Sequence, residues 1–133
     1  METINDLPLH KRLGIKEGFE VKLINEPEYY LNLLNGVAAK IYFHKQLKSA
    51  VDLIHLFTSS RKELSIEFPF LKDYIKNDGM FCVSWPKNSP NFVCDLDEET
   101  VREIGKKNGL VYCLSFSIDN YWTAVNFTKS AGD

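Results

Sequence analysis

The sequence has few of the residues that mark common catalytic and cofactor sites. Its 133 residues include 7 glycines, but none of these forms a glycine-rich loop of the kind that cradles phosphate. The 3 cysteines, Cys82, Cys94 and Cys113, contain no closely spaced pair, which argues against the usual zinc and redox motifs. Metal-ligand clusters and nucleophile–base pairs are also missing from the sequence pattern. The sequence therefore predicts no catalytic residue, no metal site and no cofactor.

The chain also lacks a charge excess and a long apolar segment. Its formal net charge of -2 provides no basic face for nucleic acid. The longest apolar runs have the length of a strand, far short of the roughly 20 residues that span a bilayer. The amino terminus has no apolar segment of the secretory kind, and the cysteine number is odd. We expect a protein of the reducing cytoplasm that contacts neither membrane nor nucleic acid.

What the chain does contain is a series of short apolar runs that predict strands. They cover residues 19–24, 38–43, 51–57, 80–85, 110–117 and 121–127. The middle runs are almost wholly apolar, which is typical of strands that helices cover on both faces. Only residues 118–120 separate the last two runs, which predicts an antiparallel hairpin. With 44% hydrophobic and 26% charged residues, residues 1–133 are expected to form a single globular domain.

Capping residues predict where the longer helices begin. Ser60 with Glu63, and Asp95 with Glu98, each match the capping-box spacing, so a helix is expected after each pair. Pro69 predicts a kink or a split in the first of these helices. The remaining expected boundaries are short helices over residues 7–13 and 29–34 and a helix end at residues 77–79.

The resulting order is β-α-β-β-α-β-α-β-β, which predicts a three-layer α/β fold. Its mostly parallel sheet would end in an antiparallel hairpin. This arrangement resembles a trimmed methyltransferase-type Rossmann fold, with one βα unit missing after the second strand. The resemblance implies that the first and third strands are neighbours, and that a ligand crevice lies at their carboxyl ends.

Two elements of a methyltransferase pocket are altered in this chain. Methyltransferases of this type place a glycine-rich turn after the first strand and an acid after the second. Here the first turn is residues 25–28, Asn-Glu-Pro-Glu, and the second strand is followed by His44 and Lys45. The sequence therefore predicts weak or no binding of S-adenosylmethionine (SAM) and of dinucleotides.

Short sequence blocks are spread over nearly the whole chain. They are, with x for any residue, Leu13-Gly14-Ile15, Asn25-x-Pro27-x-Tyr29, Leu56-Phe57-x-Ser59-x-Arg61-x-x-Leu64, Val83-Ser84-Trp85-Pro86-Lys87, Asp95-Leu96, Val101-Arg102, Gly109-Leu110-Val111 and Ile118-Asp119-x-x-Trp122. Together they resemble a family of small, mostly bacterial proteins catalogued only as a domain of unknown function. The chain departs from that pattern at Thr123-Ala124, where a Ser-Gly pair is expected. The resemblance implies the fold and carries over no activity.

One candidate binding site is a rim at the presumed crevice. Amides at a helix start, hydroxyl groups and two cations would suit a small anion such as a phosphate or a carboxylate. The rim residues are Ser59, Ser60, Arg61, Ser84, Trp85 and Lys87. The alternative is structural: Ser60 caps the helix, Arg61 and Lys87 are solvated, and Trp85 stiffens a turn.

Two further positions have a structural and a functional interpretation. Trp122 is either an interface anchor or an aromatic residue that packs across the hairpin, next to an Asx turn at Asp119. His55 lies inside an apolar run, so we expect it to be packed and hydrogen-bonded rather than catalytic.

The sequence favours a non-catalytic module on a degenerate methyltransferase-like fold, which binds a small anionic ligand or a protein partner. A minimal SAM- or nucleotide-binding enzyme that uses the same crevice is the alternative. A third interpretation is a subunit that a neighbouring chain completes, which leaves a homo-oligomer open.

Overall fold

The strands of this protein form one mixed sheet. The computed structural model describes residues 4–34, 36–90 and 92–129, and within these it has six strands. The strands are β1 (Glu20–Ile24), β2 (Tyr42–Phe43), β3 (Val51–Phe57), β4 (Ile75–Pro86), β5 (Leu110–Ser117) and β6 (Trp122–Lys129). Their order in the sheet is β2-β1-β3-β4-β6-β5.

The pairing confirms the predicted α/β fold. The strands β2, β1, β3 and β4 are parallel to one another, and β6 is antiparallel to both β4 and β5. As predicted, β1 and β3 are neighbours and the last two strands form a hairpin at the far edge. The central strand β3 is buried along almost its whole length, as its apolar run predicts.

Helices cover both faces of the sheet. They are α1 (Leu9–Leu13), α2 (Tyr30–Leu33), α3 (Arg61–Leu71) and α4 (Glu98–Lys107), with 3-10 turns at Ile4–Asp6, Ala38–Lys40 and Lys72–Tyr74. On one face, α3 buries Leu64 and Phe68 at helical spacing. On the same face, Gly105 of α4 lets the helix approach β6, because a Cβ atom there would lie 2.2 Å from the ring of Phe127. No helix in the described ranges has the length and apolar character to cross a membrane.

Two predicted strand boundaries were wrong. The run 38–43 is a strand only over Tyr42–Phe43, because it meets β1 through two residue pairs and lies at the sheet edge. The fourth strand begins at Ile75, so residues 77–79 lie within β4 and do not end the preceding helix. Gly79 permits this path, since a Cβ there would come within 2.7 Å of Ile75 and 3.0 Å of the Asp52 carbonyl oxygen.

Two helix predictions also need correction. Pro69 does not split α3, because it lies in the last turn of a helix that ends at Leu71. The second capping box is displaced: α4 begins at Glu98, and its N-cap is Asp97, whose Oδ1 accepts from the Thr100 N–H at 2.7 Å. The predicted cap residue, Asp95, instead accepts a hydrogen bond at the start of α3.

Cys113 is exposed, whereas its place in an apolar run predicts burial. The strand β5 forms the edge of the sheet, and its pairing with β6 shifts register between Tyr112 and Leu114. Cys113 therefore lies at an irregularity on an edge. Cys82, on the central strand β4, is fully buried as expected.

Candidate functional site

A small crevice lies at the carboxyl ends of β1 and β3. The chain leaves β1 towards β2 on one side, while β3 lies on the other side, so this is the point where the strand order reverses. The crevice has a volume of about 280 Å³. It is lined by Asn25, Phe57, Thr58, Ser59, Glu63, Pro86, Val93, Tyr121 and Trp122.

The turn after β1 contacts the start of α3 across this crevice. Asn25 adopts a left-handed backbone with φ of 59°, which asparagine tolerates better than most residues. Its Nδ2 donates to Oε1 of Glu63 at 3.2 Å. A side chain from the β1 turn thus joins one from α3 at the position where Rossmann-type proteins bind ligands.

Only half of the first predicted capping box forms. The Glu63 N–H donates to Oγ of Ser60 at 3.1 Å, as the spacing predicts. The Ser60 N–H donates instead to Oγ1 of Thr58 at 3.2 Å, so the Glu63 carboxylate does not cap the helix. That carboxylate is therefore available to line the crevice. The local sequence pattern gives no sign of this, because the choice depends on Asn25 from another strand.

The start of α3 is also capped from outside the helix. Oδ1 of Asp95 accepts from the Arg61 N–H at 2.7 Å, and the Asp95 N–H donates to the Ser59 carbonyl oxygen at 3.2 Å. A carboxylate of the chain itself therefore lies where the sequence predicts an anionic ligand. An external anion at the Arg61 amide would have to displace Asp95.

The six predicted rim residues do not form one cluster. Ser59 lines the crevice and Ser60 caps α3, with Arg61 exposed beside them. Ser84 is fully buried, and its hydroxyl lies 2.7 Å from Nε2 of His55. The anion site at this rim remains a prediction. Of the six residues, only those of the segment 59–61 lie together at the start of α3.

The other two rim residues border a second cavity of about 500 Å³. Trp85 is 5% exposed and contributes to the core, while Lys87 donates from Nζ to the Asp119 carbonyl oxygen at 2.7 Å. This cavity is also lined by the carboxylate residues Asp95, Asp97 and Glu98. Acidic groups outnumber the lysine there, which disfavours an anion.

The hairpin turn is held by Asp119. Its Oδ1 accepts from the N–H groups of Tyr121 and Trp122, both at 2.8 Å, so the predicted Asx turn is confirmed. Its Oδ2 accepts from the Tyr29 hydroxyl at 2.9 Å, which connects the hairpin to the segment before α2. Trp122 packs edge-to-face on Phe57, with ring centroids 4.9 Å apart, and forms one wall of the crevice.

A buried polar network lies below the crevice, and sequence reasoning found only part of it. The Tyr30 hydroxyl is 2.9 Å from Nδ1 of His55, and Nε2 of His55 faces Ser84. Burial lowers the pKa of His55 to about 3, so its ring stays neutral at physiological pH. His55 is packed and hydrogen-bonded as expected. Because His55 and Ser84 are both inaccessible, their pairing is structural rather than a nucleophile with its base.

The ionisable groups that the structure describes can be searched for a candidate metal site. Within the described ranges, no group of three or more His, Cys, Asp or Glu residues is placed to hold a metal ion. Arg61 lies near Asp97, whose pKa is lowered mainly by the hydrogen bonds from Thr100 and further by the Arg61 charge.

The fold can be compared with known structures. The chain is similar to a putative type 11 methyltransferase from Sulfolobus solfataricus, with a TM-score of 0.60 and 15% identity over 94% of this chain and 92% of that one. It is also similar to the SAH-bound magnesium protoporphyrin IX methyltransferase from Synechocystis, with a TM-score of 0.62 and 11% identity over 91% and 78% of the two chains.

A third similar structure is a TehB-like SAM-dependent methyltransferase from Corynebacterium glutamicum, with a TM-score of 0.59 and 12% identity over 95% and 90% of the two chains. The chain has a methyltransferase-like Rossmann fold. No protein-family model matches the sequence, and no curated protein matches it either. At these identities the likeness extends to the fold alone.

Proposed function

We propose that this protein is a non-catalytic binding module that holds a small ligand in the crevice between β1 and β3. The observation that carries the proposal is the Glu63 carboxylate. It lines the crevice, and its Oε1 accepts a hydrogen bond from Nδ2 of Asn25 at 3.2 Å. Thr58 and Ser59 add hydroxyl groups, and Trp122 adds an aromatic wall. A concave site with a few convergent polar groups and apolar walls is the usual form of a ligand pocket.

The lining groups favour an amine over an anion. Among the described residues of the lining, Glu63 is the only acidic one, and none is a lysine or an arginine. A carboxylate beside an aromatic wall suits a ligand cation through a charge-assisted hydrogen bond and a cation–π contact. The volume of about 280 Å³ is just below the usual range for drug-sized ligands, which begins at about 300 Å³. We therefore expect a small amine.

The β1 turn and α2 support binding without methyl transfer. The turn carries Glu26 and Glu28 in place of a glycine-rich loop, and α2 is only four residues long. A one-turn helix offers few free amides for a polar cofactor group. After β2, His44 lies 3.1 Å from Glu20, where methyltransferases place an acid for the ribose.

The proposal is tested with two probes of the same shape and opposite charge. We expect tryptamine, an indole amine, to shift the backbone NMR signals of Asn25, Thr58 and Ser59, and indole-3-acetate to leave them unchanged. The substitution Glu63→Gln should weaken tryptamine binding by about tenfold, the value of a charge-assisted hydrogen bond. Glu67→Gln, one turn further along α3, serves as the matched control. Equal binding of both probes, or binding that Glu63→Gln leaves intact, would contradict the proposal.

A minimal SAM-binding enzyme is the second candidate. It is favoured by the likeness in fold to methyltransferases, one of them solved with bound SAH at a TM-score of 0.62. Calorimetry with SAM and SAH separates the two functions. We expect no binding in the micromolar range, because of the carboxylates in the β1 turn. Micromolar affinity for either compound would favour the enzyme.

The rim at the start of α3 is tested in the same experiments. Sulfate that shifts the Arg61 amide, and loses this effect in Arg61→Ala and Lys87→Ala, would support the predicted anion site. We expect little effect, since Asp95 already binds the Arg61 amide.

We also propose that the protein resides in the reducing cytoplasm. The three described cysteines, all free thiols, support this location.

A further inference from the structure

Apart from the pairing irregularity at Cys113, the edge strand β5 has none of the residue features that usually protect a sheet edge. It pairs with β6 on one side only, and its eight residues include no charge, no proline and no glycine. Val111, Tyr112 and Cys113 on this strand are exposed. An edge of this kind presents unpaired N–H and C=O groups that can pair with another strand.

Part of the β5 edge is already occupied by the chain itself. The Ser117 N–H donates to Oδ1 of Asn5 at 2.9 Å, and Nη1 of Arg12 donates to the Ser117 carbonyl oxygen at 2.6 Å. The carboxyl end of β5 is therefore satisfied. Within the part of the chain that the structure describes, no strand pairs with the outer edge of segment 111–115, and Cys113 is at its centre.

A groove with a patterned set of charges lies beside the amino-terminal part of β5. It has a volume of about 490 Å³ and lies between α4 and β5, lined by Glu99, Arg102, Glu103, Lys106, Leu110, Val111 and Tyr112. The helix α4 has Glu98 and Glu99 in its first turn and Lys106 and Lys107 in its last. Its acidic end and basic end are thus about two helical turns apart.

Two of these charges have no ion-pair partner. Arg102 pairs with Glu98 and lies 3.8 Å from the centre of the Tyr112 ring, and Lys107 pairs with Glu103. Among the described residues, neither Glu99 nor Lys106 forms an ion pair, although both line the groove. Both therefore remain available to a partner.

We propose that a second copy of this chain pairs with the open segment of β5 in an antiparallel, two-fold symmetric dimer. A two-fold axis through the middle of residues 111–115 joins the two sheets edge to edge and sets the two α4 helices antiparallel on the same face. Glu99 of each copy then faces Lys106 of the other. The charge pattern of α4 is complementary to itself when the two helices are antiparallel, and the two-fold axis closes the assembly.

The inference is tested by charge exchange on α4. We expect the chain to dimerise in sedimentation or light-scattering measurements, and Glu99→Lys or Lys106→Glu alone to weaken the dimer by about tenfold, since each change places like charges opposite one another twice per dimer. The double variant Glu99→Lys with Lys106→Glu should restore the wild-type affinity. Glu17→Lys, an exposed acid remote from this groove, controls for net charge.

Cys113 provides an independent measurement of the geometry. Opposed residues in antiparallel strands have Cβ atoms about 4.5–5.5 Å apart, so a short bismaleimide should link the two Cys113 thiols in high yield. Val111→Lys, which adds a charge to the edge, should abolish both the link and the dimer. A monomer at all accessible concentrations, or a double variant that dimerises no better than the single ones, would overturn the inference. Neither outcome bears on the amine site, because that crevice shares no lining residue with the groove beside β5.

Discussion

The two faces of the sheet are covered in different ways. On the α3–α4 face, helices of 11 and 10 residues pack an apolar cluster that includes the stacked pair Phe68 and Phe81. On the α1–α2 face, the helices have five and four residues, and the cluster contains the buried hydrogen bonds of Tyr30 with His55. The α3–α4 layer is held by buried apolar area, and the α1–α2 layer also needs the buried hydrogen bond of Tyr30 with His55.

The difference follows from helix length. A helix of three turns presents enough apolar side chains to bury itself by the hydrophobic effect. A single turn such as α2 buries little and gains little from its own hydrogen bonds. Tyr30 compensates by reaching the centre of the sheet, where its hydroxyl binds His55 and its ring packs on Phe57. We infer that hydrogen bonding, as well as packing, positions the short segment beside the crevice.

The largest expected effect is on the apolar face. Phe68→Ala removes a ring that is fully buried, stacked on Phe81 at 4.5 Å and in edge contact with Phe127. We expect the free energy of unfolding to fall by about 3–5 kcal/mol in urea denaturation. Phe70→Ala, on the same helix but 63% exposed, should change it by only about 0.5 kcal/mol. Similar losses for the two variants would show that α3 packs differently.

A smaller effect is expected on the polar face. Tyr30→Phe keeps the ring but removes the hydroxyl that binds Nδ1 of His55. Because a buried polar atom then lacks a partner, the free energy of unfolding should fall by about 1–3 kcal/mol. The exposed Tyr42 offers the matched control Tyr42→Phe, which should be close to neutral. An unchanged stability in Tyr30→Phe would mean that packing alone holds α2.

The last expected effect concerns pH and tests the same polar network. The pKa of His55 is about 3 in the folded chain, below its usual value of about 6.5, so the unfolded chain binds the proton more tightly. The stability that this neutral histidine contributes is complete above about pH 6.5. It is lost as pH falls towards the folded pKa, by about 1.4 kcal/mol per pH unit.

The measurement compares wild type with His55→Gln, which does not titrate. The difference between their free energies of unfolding should shrink as pH is lowered from about 6.5 to about 5. Carboxylates affect both proteins equally and cancel in that difference. Parallel pH profiles would show that His55 is accessible to protons in the folded state.

Sequence reasoning succeeded where a signal is local and repeated. The apolar run of β3 predicted a central strand, and the short connection before β6 predicted the hairpin. It failed where two distant segments compete for one group. The spacing of Asp95 and Glu98 fits a capping box, but Asp97 caps α4 while Asp95 binds the Arg61 amide of α3. The candidate rim does not form one cluster for the same reason, since the Ser84 hydroxyl forms a buried hydrogen bond with His55.

The sequence by itself determined the α/β class and the hairpin, because periodicity and turn residues act over a few positions. That β1 and β3 are neighbours was implied by the resemblance to the methyltransferase-type fold. The tertiary structure alone decided which carboxylate lines the crevice and which groups bind the buried His55. Those outcomes depend on hydrogen bonds between residues far apart in the chain, such as Asn25 with Glu63 and Tyr30 with His55. A polar side chain can satisfy several partners, and only the packed chain selects one.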